Sequence, residues 1–133
     1  MANQDILISE QLKGLLERLE SNDHLIWRGR QLDLRCLIGT PASPLIFTFR
    51  HGRIVGTPAA PALMSTWRFA FRASERAWME YWQPMPRPGW HDLFALFKHG
   101  EATVEGDLYP FMTHLQYFKD VLALPRGHVE AAA

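Results

Sequence analysis

At 133 residues the chain has the length of one domain, and a domain of this size buries roughly 70% of its unfolded surface, enough for one core without disulfides. Fourteen basic residues balance fourteen acidic ones, so the chain lacks the positive footprint by which proteins hold nucleic acid or an anionic membrane. Cys36 is the sole cysteine, which excludes an internal disulfide and suits a reducing compartment.

The N-terminal stretch MANQDILISEQLKG has neither the basic start nor the long apolar run of a secretory signal. No segment approaches the ~20 apolar residues of a membrane span. The expectation is a soluble, cytoplasmic protein. What stands out is aromatic content: five Trp, eight Phe and three Tyr, mostly between Phe47 and Phe118. Such side chains carry a large apolar payload, which fills cores and also lines cavities.

Residues 3–20 read as an amphipathic helix. Leu12, Leu15, Leu16 and Leu19 recur at helical spacing, opposite Lys13, Glu17, Arg18 and Glu20. Gly14 weakens it by up to ~1 kcal/mol relative to Ala, and Ser21-Asn22-Asp23 stops it. Leu25-Ile26-Trp27 reads as a short strand. Leu32, Leu34, Cys36 and Ile38 then alternate with Asp33 and Arg35, the period of a strand with one buried face. Leu45, Phe47 and Phe49 alternate again. His51-Gly52 turns the chain into Arg53-Ile54-Val55, which predicts a hairpin.

GTPAAPA, residues 56–62, is a loop. In STWRFAFRA, Trp67, Phe69 and Phe71 share one face, and Thr66, Arg68, Ala70 and Arg72 the other. Ser74 is placed to cap a helix over ERAWMEYW that sets Trp78, Tyr81 and Trp82 on the side of Ala77. QPMPRPG cannot extend it, because its three prolines lack amide donors. It is either a stiff connector or the rim of a cavity, holding Trp82 and Trp90 apart. Residues 90–98 read as a helix with Leu93, Phe94 and Phe97 together, and Glu101–Glu105 as the last strand. Asp107 caps a final helix that tolerates Pro110 in its first turn and runs to about Leu124. Phe111, Leu115, Phe118 and Leu122 follow i, i+4, i+7, i+11 on it as one stripe, flanked by Tyr109 and Met112.

Strands in a run followed by grouped helices indicate an α+β domain. The expected architecture is a mostly antiparallel, five-stranded mixed sheet with helices on one face. One domain spans 1–125, and 126–133 forms a flexible tail.

Catalytic signals are sparse. The six histidines, at 24, 51, 91, 99, 114 and 128, show no metal-ligand spacing. No GxSxG motif or Gly-rich phosphate loop occurs. Cys36 shares the apolar parity of Leu34 and Ile38 and reads as a small buried hydrophobe. No catalytic residue, metal or cofactor is expected.

At this point the order of elements and three motifs resemble the sterol carrier protein type 2 family. FTFRHGRIVG resembles its strand-turn-strand. STWRFAFRASERAW resembles its strand leading into a helix marked here by Ser74 and Trp78. GEATVEGDLYPFMTHLQYF resembles its Gly, short strand, Gly-Asp and apolar helix. The resemblance covers about residues 45–122. It implies an apolar cavity between sheet and helices for sterols, fatty acids or acyl-CoA. This chain departs from the family in ending Ala-Ala-Ala, where animal members often carry an Ala-Lys-Leu type peroxisomal signal. It also has acidic Glu101 and Glu105 on a strand that is usually Lys-rich, and these would repel the phosphates of a CoA head.

The expected ligand-binding set is Trp67, Phe69, Phe71, Trp78, Trp82, Trp90, Phe94, Phe97, Phe111, Met112, Leu115 and Phe118. Many flat rings in a small domain leave either an internal void or an exposed patch, and such patches mark binding surfaces. Arg68, Thr66 and Tyr117 are candidate polar contacts, and Arg68 or Arg72 suits a ligand carboxylate. The expected function is non-catalytic binding or transfer of a hydrophobic small molecule or lipid, with at most transient membrane contact and no nucleic acid. One alternative is an enzyme or enzyme accessory acting on a steroid or quinone intermediate. Another is an interaction module whose aromatic strip serves a homodimer.

Overall fold

The structure is a computed structural model that describes the backbone of residues 2–127 and the side chains of 4–127. Three helices open the chain: α1 (Ala2–Lys13), α2 (Leu15–Glu20) and α3 (Asp23–Arg28). The expected single helix is divided at Gly14, the residue of lowest helix propensity in the segment. Its leucine face survives the break, with Leu12, Leu15 and Leu19 all buried.

Leu25-Ile26-Trp27 is helical, which corrects the strand expected there. The Asn22 side chain accepts from the Leu25 backbone amide at 3.2 Å. Asn22 therefore caps a new helix immediately after the previous one ends. Leu25 and Ile26 enter the core while Trp27 stays exposed with Arg30 over its ring.

The sheet comprises β1 (Asp33–Gly39), β2 (Pro44–Arg50), β3 (Arg53–Ile54), β4 (Phe69–Ala73) and β5 (Ala102–Gly106), in the order β3-β2-β1-β4-β5. The β1–β4 pair is parallel and the other three are antiparallel. His51 and Gly52 join β2 to β3 with positive φ at both positions, 52° and 81°. That two-residue geometry matches the twist of the flanking strands. The segment after β3 bridges Ile46 through Ala59, then returns to mid-sheet, where the Arg68 amide donates to the Arg35 carbonyl. A parallel neighbour requires such a crossover.

Helices α4 (Glu75–Tyr81), α5 (Leu93–Lys98), α6 (Leu108–Thr113) and α7 (Leu115–Leu122) complete the domain. Ser74 caps α4 by accepting from the Ala77 amide, and Asp107 caps α6 by accepting from the Tyr109 amide. The final helix, expected to be continuous, breaks at His114 (φ −108°, ψ 27°). His114 still links the two helices, its amide donating to the Pro110 carbonyl at 3.1 Å and its carbonyl accepting from the Phe118 amide at 3.0 Å. The apolar stripe thus continues through two short helices.

Cys36, Ile38, Leu45, Phe47, Phe49, Phe69, Phe71 and Ala73 form the sheet's contribution to one core with the helices. Arg126 and Gly127 bond the backbone of Tyr81 and Trp82, and residues 128–133 of the expected tail lie outside the described residues. Among the described residues no helix is long and apolar enough to cross a membrane.

Candidate functional site

Alternation along β4 aims Phe69 and Phe71 at the helices, and α4 with its C-cap sets Trp78 and Trp82 one turn apart, their rings tilted by 35° with centroids 5.0 Å apart. Helix α6 brings Phe111 to 5.2 Å from Phe69, and α7 brings Phe118 to 5.3 Å from the same ring. Phe97 on α5 reaches Phe71 at 5.8 Å and Phe111 at 6.4 Å. Most of these contacts are edge-on, the arrangement that opposes the positive rim of one ring to the negative face of another. The buried indoles are satisfied, since Trp78 Nε1 donates to the Gly39 carbonyl at 3.1 Å and Trp82 Nε1 to the Leu122 carbonyl at 2.7 Å.

The structure divides the expected set of site residues. Phe69, Phe71, Trp78, Trp82, Phe111 and Phe118 are buried in the core, with their rings in mutual contact. Phe97 and Leu115 are partly buried against them. Phe94 and Met112 reach the surface, 37% and 50% exposed, as do Leu108 and Tyr109. Trp67 precedes β4 and borders a small opening with Leu34, Arg35, Thr66 and Arg68. Trp90 is buried away from the other rings, stacked on His99 at 5.0 Å.

Phe49 and Tyr117 also belong to this interior but were not in the expected apolar set. Phe49 lies 5.6 Å from Phe118, and Tyr117 lies 5.7 Å from it. Phe49 was legible as an inward strand residue, but nothing local said that it would meet the final helix. Tyr117 sits beside the stripe, one residue from Phe118, and its hydroxyl donates to the Gly52 carbonyl at 2.6 Å.

The interior holds its titratable groups in their neutral forms. Burial raises the Tyr117 and Tyr81 hydroxyls and the Cys36 thiol above their ordinary values. Arg68 and Arg72 point away from the rings and are engaged elsewhere. Arg68 pairs with Asp107 at 2.9 Å, and Arg72 pairs with Glu105. Thr66 Oγ1 accepts from Arg35 at 3.1 Å. An interior of this kind favours uncharged apolar matter and penalises a charged head.

No family model matches the chain, and no curated protein matches it in sequence. Solved structures do match it. Sterol carrier protein 2 superposes with a TM-score of 0.66 at 11% identity, over 86% of this chain and 92% of that one. UbiJ-SCP2, a ubiquinone synthesis protein, gives 0.58 at 18% identity, over 90% and 96%. The conserved hypothetical protein TT1886 from Thermus thermophilus gives 0.57 at 12% identity, over 90% and 89%. At these identities the likeness concerns architecture, and on that ground the chain has the sterol carrier protein 2 fold.

Proposed function

We propose that the protein binds a hydrophobic molecule, a sterol, fatty acid or similar lipid, among the rings between sheet and helices, and transfers or presents it unchanged. The observation that carries this reading is an unbroken aromatic path from surface to core. Phe94, at the surface, lies 5.9 Å from Phe97; Phe97 lies 6.4 Å from Phe111, and Phe111 lies 5.9 Å from Phe118. A ligand entering between α5 and α6 exchanges ring-ring contact for ring-ligand contact at every step. Each CH₂ removed from water contributes ~0.8 kcal/mol, so about ten carbons contribute ~8 kcal/mol gross. Immobilisation and displacement of rings offset part of this, leaving roughly micromolar affinity. Binding of this kind discriminates weakly between chain lengths, because one methylene changes little. The buried lone thiol of Cys36 fits a cytoplasmic setting.

The test is titration with dehydroergosterol, an uncharged fluorescent sterol, against the parent and Phe97→Glu. Phe97 is only partly buried, so the variant is expected to fold. Saturable binding that is lost in Phe97→Glu supports the reading. Absence of saturable binding, or equal binding by both proteins, contradicts it.

The fold shared with UbiJ-SCP2 favours a second reading, presentation of an apolar intermediate such as a quinone precursor to an enzyme. The same interior would serve, and a quinone would then displace the sterol. A third use, pairing of two copies through the exposed Phe94, Tyr109 and Met112, would show as concentration-dependent mass in light scattering.

A further inference from the structure

Helix α4 has a second working face. Trp78 and Trp82 point into the core, whereas Arg76, Met79 and Glu80 border a groove of about 450 Å³. Gln4 of α1 closes one side of it, and Pro84 and Met85 of the proline-rich loop close the other. The volume is that of a small-molecule site. Met79 is buried at its base, and Met85 stands 89% exposed at its rim. Methionine at such a place adapts to varied apolar shapes, and the flanking prolines limit the loop's freedom before anything binds.

Charge identifies the occupant. Arg87 and Glu80 neutralise each other through two bonds, at 3.2 and 2.6 Å. Arg76 forms no ion pair among the described residues. Its guanidinium lies 4.8 Å over the Trp90 ring, which also stacks on His99 and has the Glu80-paired Arg87 guanidinium at 5.8 Å. The cation is thus held in place by an aromatic face, with its donors unspent. The groove carries one uncompensated positive charge beside an apolar wall. One planar fork with one charge matches one carboxylate.

We propose that this groove binds a monoanionic amphiphile, an apolar chain or ring ending in a carboxylate. Arg76 takes the carboxylate, while Met79, Pro84 and Met85 take the apolar body. The site stands apart from the aromatic interior and does not depend on it.

Methionine methyl resonances test this directly, because Met79 and Met85 lie in the groove, Met112 on α6 and Met64 on the exposed loop before β4. Dodecanoate is the probe, added to protein labelled at the methionine methyls. The groove predicts saturable shifts at Met79 and Met85. It also predicts affinity about tenfold weaker in Arg76→Gln and only partly restored in Arg76→Lys, which keeps the charge but not the planar fork. Shifts at Met112 without Met79 and Met85 would overturn the groove and place dodecanoate at the exposed face of α6. No shift at any methyl would overturn the groove while leaving sterol uptake to its own test. Equal affinity of Arg76→Gln and the parent would overturn the role of Arg76.

Discussion

The indole of Trp82 donates to the main-chain carbonyl of Leu122 at 2.7 Å, tying α4 to the last turn of α7. Trp82 in turn accepts from the Gly127 amide at 2.8 Å through its own carbonyl. Trp82 therefore holds α7 through its indole and Gly127 through its main chain, while its ring fills the core. Trp82→Phe keeps most of the ring but leaves that buried carbonyl without its donor, a cost of about 2 kcal/mol. Urea denaturation should show the loss as a lower midpoint with unchanged slope. An unchanged midpoint would mean that the carbonyl finds another partner.

Phe118 meets Phe49, Phe69, Phe111 and Tyr117, with centroids 5.3 to 5.9 Å apart. Phe118→Asp removes these contacts and buries a carboxylate with no described cation beside it. A cost above ~4 kcal/mol follows, enough to remove most of a small domain's stability. The variant should lose its cooperative melt by circular dichroism and its sterol binding together. A variant that melts and binds like the parent would show that α7 does not dock as described.

Gly52 and Gly56 provide an internal comparison. Both have positive φ, 81° and 74°. A Cβ on Gly52 would collide with the Ile26 carbonyl oxygen and lie 2.8 Å from the Gly29 carbonyl carbon, whereas on Gly56 it meets nothing within 4 Å. Gly56→Ala should cost only the left-handed backbone strain, about 1 kcal/mol. Gly52→Ala adds a clash with backbone that cannot swing aside, and should cost at least about 2 kcal/mol more. Equal melting temperatures for the two variants would contradict the close approach of the hairpin to α3.

Asp107 gives a pH signature. The hydrogen bond from Arg68, then that from the Tyr109 amide, hold its carboxyl below the ordinary 3.8. The folded protein therefore binds this proton less readily than the unfolded chain does. The stabilisation is complete above the unfolded value and is lost as pH falls through the lower folded one. Asp107→Asn keeps a competent cap but abolishes the charge pair. Parent and variant should differ in melting temperature at pH 6 and converge towards pH 2. A constant difference across that range would mean that Arg68 contributes nothing to the carboxyl.

The hairpin, the caps at Ser74 and Asp107 and the alternation of β1, β2 and β4 were legible because each rests on local chemistry. The helix at Leu25–Trp27 was not, since Ser21-Asn22-Asp23 both stops one helix and starts another, and a three-residue apolar run suits either state. The break at His114 was invisible because the stripe keeps its spacing across it. The candidate site was legible as a set of large apolar residues, not as an arrangement. Periodicity places Phe94 and Phe97 on one helical face, but only the tertiary fold leaves Phe94 at the surface and sets Phe97 against Phe111. The guanidinium without an ion-pair partner was equally hidden. Sequence parity drew attention to Arg68 and Arg72, which pair across strands, and not to Arg76.

The central claim is that the interior takes up an apolar molecule. Native mass spectrometry of the purified protein, followed by organic extraction and identification of what is released, tests it most directly. The account predicts a discrete added mass that extracts as a lipid, or one that appears on incubation with sterols, fatty acids or quinones, and that is lost in Phe97→Glu but kept in Arg76→Gln. A folded protein that keeps its bare mass through all three incubations would contradict it, and would leave the rings as a packed core and nothing more.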